Sequence, residues 1–180
     1  AGRSGLATQA LGAFDVALYD LKARRANLSL AKLLGSWRDS VACYNTSGGF
    51  LHTPLEQLLV NAAASRERGI GGIKLKVGQP DRTLDIRRVE AVRKHLGDDM
   101  PLMVDANQQW DRPTAQRMCR VFEDFKLVWI EEPLDAYDHE GHAALAAAFD
   151  TPIATGEMLT SAAEHADLIR HRAADVLMPD

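Results

Sequence analysis

Six strand-like segments, at 40–46, 72–77, 101–105, 127–131, 151–155 and 174–178, alternate with stretches whose apolar residues recur at helical spacing. Leu55, Leu58, Leu59, Ala62 and Ala63 form one such stripe; Thr53-Pro54 before it reads as an N-cap with Pro at the first helical position, and Gly69 ends it. Ile86, Val89, Val92 and Leu96 give the inner face of a helix over about 81–96, closed by Gly97. Ala115, Met118, Phe122 and Phe125 do the same for a helix opening near Asp111, and a further helix is expected over about 139–148. Ser161 followed by Glu164 is a capping-box pattern that opens another. Ahead of them all, Leu6, Ala10, Phe14, Leu18 and Leu21 predict an amphipathic helix over about 4–24. Short strands alternating with helices of about 10–15 residues specify βαβ units, and therefore a parallel sheet.

Six parallel strands suit either an open doubly wound sheet or a TIM barrel cut short, since a closed barrel needs eight. No glycine-rich phosphate turn follows the early strands, which counts against a nucleotide-binding sheet. With no linker or low-complexity stretch, the 180 residues read as one partial barrel domain. A net charge of −4 without any basic run speaks against a nucleic-acid partner. No apolar stretch approaches the roughly 20 residues that span a bilayer, so no membrane partner is expected. The chain lacks an initial Met and a signal-peptide pattern, so processing or a longer parent is expected. Cys43 and Cys119 fit no metal spacing and are too few for a disulfide framework, which makes a reducing cytoplasm the expected location.

Ligands of parallel α/β folds bind at the carboxyl ends of the strands. Read in order, those ends carry Lys74 and Lys76, then Asp105, Glu131, Glu157 and Asp180. The steps are 29 residues from Lys76 to Asp105, 26 to Glu131, 26 to Glu157 and 23 to Asp180, each about one βα unit. Ionisable groups at the same height of successive strands converge on one centre. Three convergent carboxylates repel one another, a conflict that a hard divalent cation resolves, and an all-oxygen set favours Mg²⁺ or Mn²⁺ over zinc. Helix capping or surface ion pairing is the competing role for any one of these acids, but it does not explain three in register facing two lysines. Lys74 and Lys76, two apart on one strand, share a face. Two adjacent cations are expected to lower each other's pKa and bring one toward service as a general base. A structural ion pair with the carboxylates and a Schiff-base lysine are the other roles open to them.

Lys74-Leu75-Lys76, Asp105-Ala106-Asn107, Trp129-Ile130-Glu131-Glu132-Pro133, Gly156-Glu157 and Met178-Pro179-Asp180, in that order, resemble the signature of the mandelate racemase branch of the enolase superfamily. Each motif is short, the ordered set is specific, and the likeness runs from the first helix to the last residue. Longer stretches resemble the acid-sugar dehydratases of that branch: Tyr44 through Phe50, Val104 through Asp111, Glu131 through Tyr137 and Thr151 through Leu159.

The resemblance implies a modified TIM barrel of (β/α)7β type, present here through about strand six, with a capping domain built from the ends of a longer chain. It implies that Asp105, Glu131 and Glu157 ligate Mg²⁺ and that Lys76 is the base on one face of the substrate. Lys74 would contact the substrate carboxylate and tune Lys76, and Asn107 would hydrogen-bond near metal or substrate. Asp180 would orient a histidine that works on the opposite face from the end of a seventh strand. None of His52, His95, His139, His142, His165 or His171 matches that position. His139, His142, His165 and His171 are expected to pack helices or face solvent, and His52 lies nearest the opening. The implied activity is a hydro-lyase acting on a sugar diacid, in a homo-oligomer. A racemase or epimerase on the same scaffold, a catalytically inactive barrel kept for binding or assembly, and a Schiff-base aldolase are the alternatives.

Overall fold

The computed structural model describes residues 5–46 and 49–179, so Asp180 lies outside the described residues. Five strands form one sheet: β1 (Ile73–Lys76), β2 (Leu102–Asp105), β3 (Ile130–Glu131), β4 (Ile153–Thr155) and β5 (Val176–Leu177). Every pairing is parallel, and the order is β1-β2-β3-β4-β5, each strand beside its neighbour in the chain. A doubly wound sheet reverses its strand order at a switch point, whereas a barrel runs on in one direction. The monotonic order therefore selects the barrel, and the described residues form an arc of one.

The expected strand at 40–46 is reduced to a single parallel bridge, Asn45 to Ile73. Lys74 N–H donates to the Asn45 carbonyl at 2.9 Å, and Lys76 N–H to the Gly49 carbonyl at 2.8 Å. Only glycine allows the second approach, because a Cβ on residue 49 would stand 2.7 Å from the Lys74 carbonyl oxygen.

The helices are α1 (Leu6–Arg25), α2 (Leu30–Leu33), α3 (Leu55–Glu67), α4 (Arg82–Leu96), α5 (Arg112–Phe122), α6 (His139–Ala148) and α7 (Ala162–His171). A 3-10 turn, Glu123–Phe125, follows α5, and α2 was not expected from the periodicity. Side chains of Ser29, Asp81, Asp111, Asp138 and Ser161 accept backbone N–H groups at the starts of α2, α4, α5, α6 and α7, satisfying donors that a helix start leaves free. The expected cap at Thr53 is not made. Pro54 is the N-cap of α3, and the Thr53 carbonyl instead accepts from Arg88 Nη1 at 2.5 Å.

Leu75, Val89, Val92, Leu102, Val104, Met118, Phe122, Ile130 and Ile153 pack in one buried cluster between the strands and helices α4 and α5. Helix α1 stands apart: its expected apolar stripe is solvent-facing, with Leu6 84% and Phe14 69% exposed and Ala23 alone buried. Among the described residues its chief packing neighbour is the short α2.

His142 on α6 is buried, its Nδ1 3.0 Å from the Asp138 carbonyl oxygen. Burial penalises its charged form and holds the imidazole below its ordinary value of 6.5. The unfolded chain takes up that proton near 6.5 and the folded chain only at lower pH, so stability present above that value is lost as the pH falls below it. The drop in melting temperature between about pH 7.5 and about pH 5 is expected to be smaller in His142→Gln than in the wild type.

Candidate active site

The register puts Lys76, Asp105 and Glu131 side by side: Lys76 pairs with Asp105 across β1 and β2, and Asp105 with Glu131 across β2 and β3. These are the carboxyl ends of their strands, and the side chains meet. Lys76 Nζ lies 2.5 Å from Asp105 Oδ2, Lys74 Nζ 2.5 Å from Glu131 Oε1, and Lys74 Nζ also 3.4 Å from Asp105 Oδ2. Both carboxylate side chains are fully buried, Lys74 is 7% exposed and Lys76 is 23% exposed, so Lys76 is the cation nearer the opening.

The remaining oxygens of these acids are also held. Trp129 Nε1 donates to Glu131 Oε2 at 3.0 Å, and the Asn107 backbone N–H donates to Asp105 Oδ1 at 2.8 Å. Tyr44 braces the group from the edge of β1: its ring meets Trp129 edge-on at 5.4 Å, and the Lys74 ammonium lies 5.6 Å from the Tyr44 ring centre. Both aromatics belong to motifs visible in the sequence, yet nothing in their spacing marked them as contacts.

The expected lowering of the lysines does not hold for Lys74. Burial works to lower its pKa, but the bond and charge of Glu131 and the charge of Asp105 outweigh it, and the amine ends above its usual value. Glu131 is pushed upward chiefly by burial, with Lys74 pulling it back and Asp105 adding to the rise.

Glu132 is a site residue that strand alternation conceals. Consecutive strand residues face opposite sides, so Glu132 would be assigned away from Glu131. Its φ of 40 breaks that alternation. The residue is fully buried, its Oε2 accepting from Gln108 Nε2 at 3.0 Å and its Oε1 without a hydrogen-bond partner among the described residues. Burial pushes its pKa to about 7 against the Gln108 bond, and the charges of Glu157, Asp105 and Glu131 add to the rise. Gln108 completes a clamp: its N–H donates to the Glu132 carbonyl at 2.8 Å, and its Oε1 accepts from Ala136 N–H at 3.0 Å. Asn107 and Gln108 are themselves left-handed, with φ of 43 and 65, so three non-glycine residues at the ends of β2 and β3 carry a conformation that L-residues avoid.

Glu157 sits half-buried in the turn after β4, beside Thr8, Gln9 and Gly12 of α1. It reaches the cluster through its field on Glu132, whereas the two lysines touch Asp105 and Glu131 directly. Asn107, two residues beyond Asp105, is half-buried, and His52 is exposed, stacked on Phe50 at 5.7 Å. The four carboxylates Asp105, Glu131, Glu132 and Glu157 outnumber the two ammonium groups, and the other three act on Glu132 through their charge. An excess of buried negative charge in an all-oxygen donor set fits a hard divalent cation.

Residues 57–180 match the family model described as Enolase C-terminal domain-like, and residues 3–35 match the Mandelate racemase / muconate lactonizing enzyme, N-terminal domain. The chain belongs to the mandelate racemase branch of the enolase superfamily. Among its relatives, L-talarate/galactarate dehydratase of Salmonella typhimurium (strain LT2) is 70% identical over 99% of this chain and 45% of its own length. The crystal structure of L-talarate dehydratase from Polaromonas sp. JS666, complexed with Mg and L-glucarate, is 86% identical with a TM-score of 0.92, covering 99% of this chain and 50% of that one. N-succinylamino acid racemase of Amycolatopsis sp is 38% identical over 93% of this chain and 44% of its own length. The chain thus spans about half the length of the relatives it matches.

Proposed function

We propose that this site removes the proton alpha to a carboxylate of a sugar diacid and expels the β-hydroxyl, with L-talarate and galactarate as the substrates. The observation that carries the reading is the lysine pair on one face of β1, set against Asp105 and Glu131 at the strand ends. The 70% identity to an L-talarate/galactarate dehydratase and the 86% identity to an L-talarate dehydratase support it.

Asp105, Glu131 and Glu157 would hold Mg²⁺, which when bound supplies Lewis-acid stabilisation of negative charge on the substrate carboxylate. Lys74, kept as an ammonium by two buried acids, would bind that carboxylate and offset the same charge. Lys76, the more exposed of the pair, would take the α-proton on Nζ after releasing a proton of its own. Asn107 would hydrogen-bond the substrate at the mouth of β2. Asp180 would orient the acid that protonates the departing hydroxyl, so that water leaves and the enol product tautomerises to a 2-keto-3-deoxy acid. On this reading residues 57–180 supply part of the catalytic barrel, beside the N-terminal match at residues 3–35. The free thiols of Cys43 and Cys119 support a cytoplasmic setting; among the described residues no helix is long and apolar enough to cross a membrane.

The test is incubation of the whole protein with Mg²⁺ and a panel of aldarates, following 2-keto acid. L-talarate and galactarate should give the fastest release, and no keto acid from any of them would sink the assignment. The racemase relative supports a second reading, return of the proton to the opposite face. Deuterium from solvent appearing in recovered substrate, without keto acid, would select it.

A further inference from the structure

Where α6 begins and α7 ends, three side chains that take no part in the Lys74–Asp105–Glu131 network meet. His139 is the first residue of α6, and Asp167 and His171 lie one turn apart on α7. His139 Nδ1 is 3.2 Å from Asp167 Oδ2, and His171 Nδ1 is 3.7 Å from the same oxygen. The two imidazole rings stand 5.5 Å apart, tilted at 53°. One potential ligand atom from each residue falls within 4.8 Å of the others. The geometry points to a second cation site here, one that takes a borderline transition-metal ion such as Zn²⁺.

Four considerations support it. A tetrahedral ion with bonds of about 2.0–2.1 Å to nitrogen and oxygen separates its ligand atoms by roughly 3.3 Å, close to the two spacings measured from Asp167 Oδ2. The donor set of two imidazoles and one carboxylate suits zinc and not magnesium, so the two centres would sort different ions. Arg170 Nη2 donates to Asp167 Oδ1 at 2.8 Å, which leaves Oδ2 facing the histidines. The last turn of α7 adds the partial negative charge of its carbonyls. Against these stand the positive charge of Arg170 and the present contact of His171 Nδ1 with the Asp167 carbonyl oxygen, 2.9 Å away, which a bound ion would displace. That contact is exposed, so water can take over the carbonyl.

Equilibrium dialysis of the purified protein against Zn²⁺, in saturating Mg²⁺ to fill the carboxylate centre, reads the site directly. One Zn²⁺ per chain is expected. His171→Ala and His139→Ala should each weaken binding at least about tenfold, because altering even a neighbour of a metal ligand costs that much. His171 is exposed, so its variant should fold as the wild type does, which a melting curve checks. Co²⁺ as a probe should give visible ligand-field absorption that His171→Ala abolishes. Failure to retain Zn²⁺, or retention that both histidine variants leave unchanged, overturns the site. So does Zn²⁺ that is lost on Asp105→Asn while the histidine variants keep it.

Discussion

Lys76→Met is expected to lower turnover by roughly 10²–10⁴-fold, the usual contribution of a positioned general base, with a much smaller change in KM. Met preserves the length of the apolar stem and removes only the amine, which lies 2.5 Å from Asp105 at the open side of the cluster. Asp105 keeps the Asn107 N–H at 2.8 Å and the Lys74 ammonium at 3.4 Å, so the fold should survive. The same change at Lys74 is a poorer test. That side chain is almost wholly buried between two acids, and removing it leaves buried charge unpaired and destabilises the protein along with the chemistry. Turnover of Lys76→Met within tenfold of the wild type, measured as 2-keto acid release, would remove Lys76 from the role of base. Borohydride trapping of substrate on Lys76 would instead support Schiff-base chemistry.

The largest effect on stability is expected at a residue remote from this chemistry. Arg93, on the last turns of α4, donates Nε to the Phe125 carbonyl at 2.8 Å, Nη1 to those of Gly97 at 2.9 Å and Met100 at 2.8 Å, and Nη2 to that of Lys126 at 2.9 Å. One buried guanidinium thereby ties the turn leading into β2 to the 3-10 turn leading into β3. Arg93→Ala leaves four carbonyls to find other partners, and a cost of roughly 3 kcal/mol is expected. For a chain of this size that is a fall of about 6–12 °C in melting temperature. Arg93→Lys should recover only part, because an ammonium cannot reproduce the planar fork. A fall of less than about 2 °C for Arg93→Ala would show that water replaces the arginine without penalty.

Much of this was legible in the sequence because the period of a barrel is written twice, once in the apolar runs and again in the ionisable groups that end them. Asp105 and Glu131 stand in register, whereas Glu157, an equal 26 residues further on, lies in the turn beyond β4, where Glu131 pairs with Ala154. The residues that escaped the reading are those whose backbone leaves the regular period. Glu132 directly follows Glu131, so alternation points it to the other face, and its left-handed backbone reverses that. The segment at 40–46 has strand-like composition, but its pairing with β1 is a single bridge at Asn45. Thr53 has the chemistry of a cap, yet Arg88 claims its carbonyl and the helix opens one residue later. The aromatic bracing by Tyr44 and Trp129 depends on contacts between residues 85 apart, which no local pattern records.

The left-handed residues at the ends of β2 and β3 bear on how such a protein can change over generations. Asn107, Gln108 and Glu132 each hold a conformation that glycine would adopt without penalty, at a cost of order 1 kcal/mol apiece. Glycine there would relieve that strain at roughly 0.5–1 kcal/mol of added backbone entropy, so little stability would be gained, while a side chain would be deleted or a backbone N–H loosened that the acids rely on.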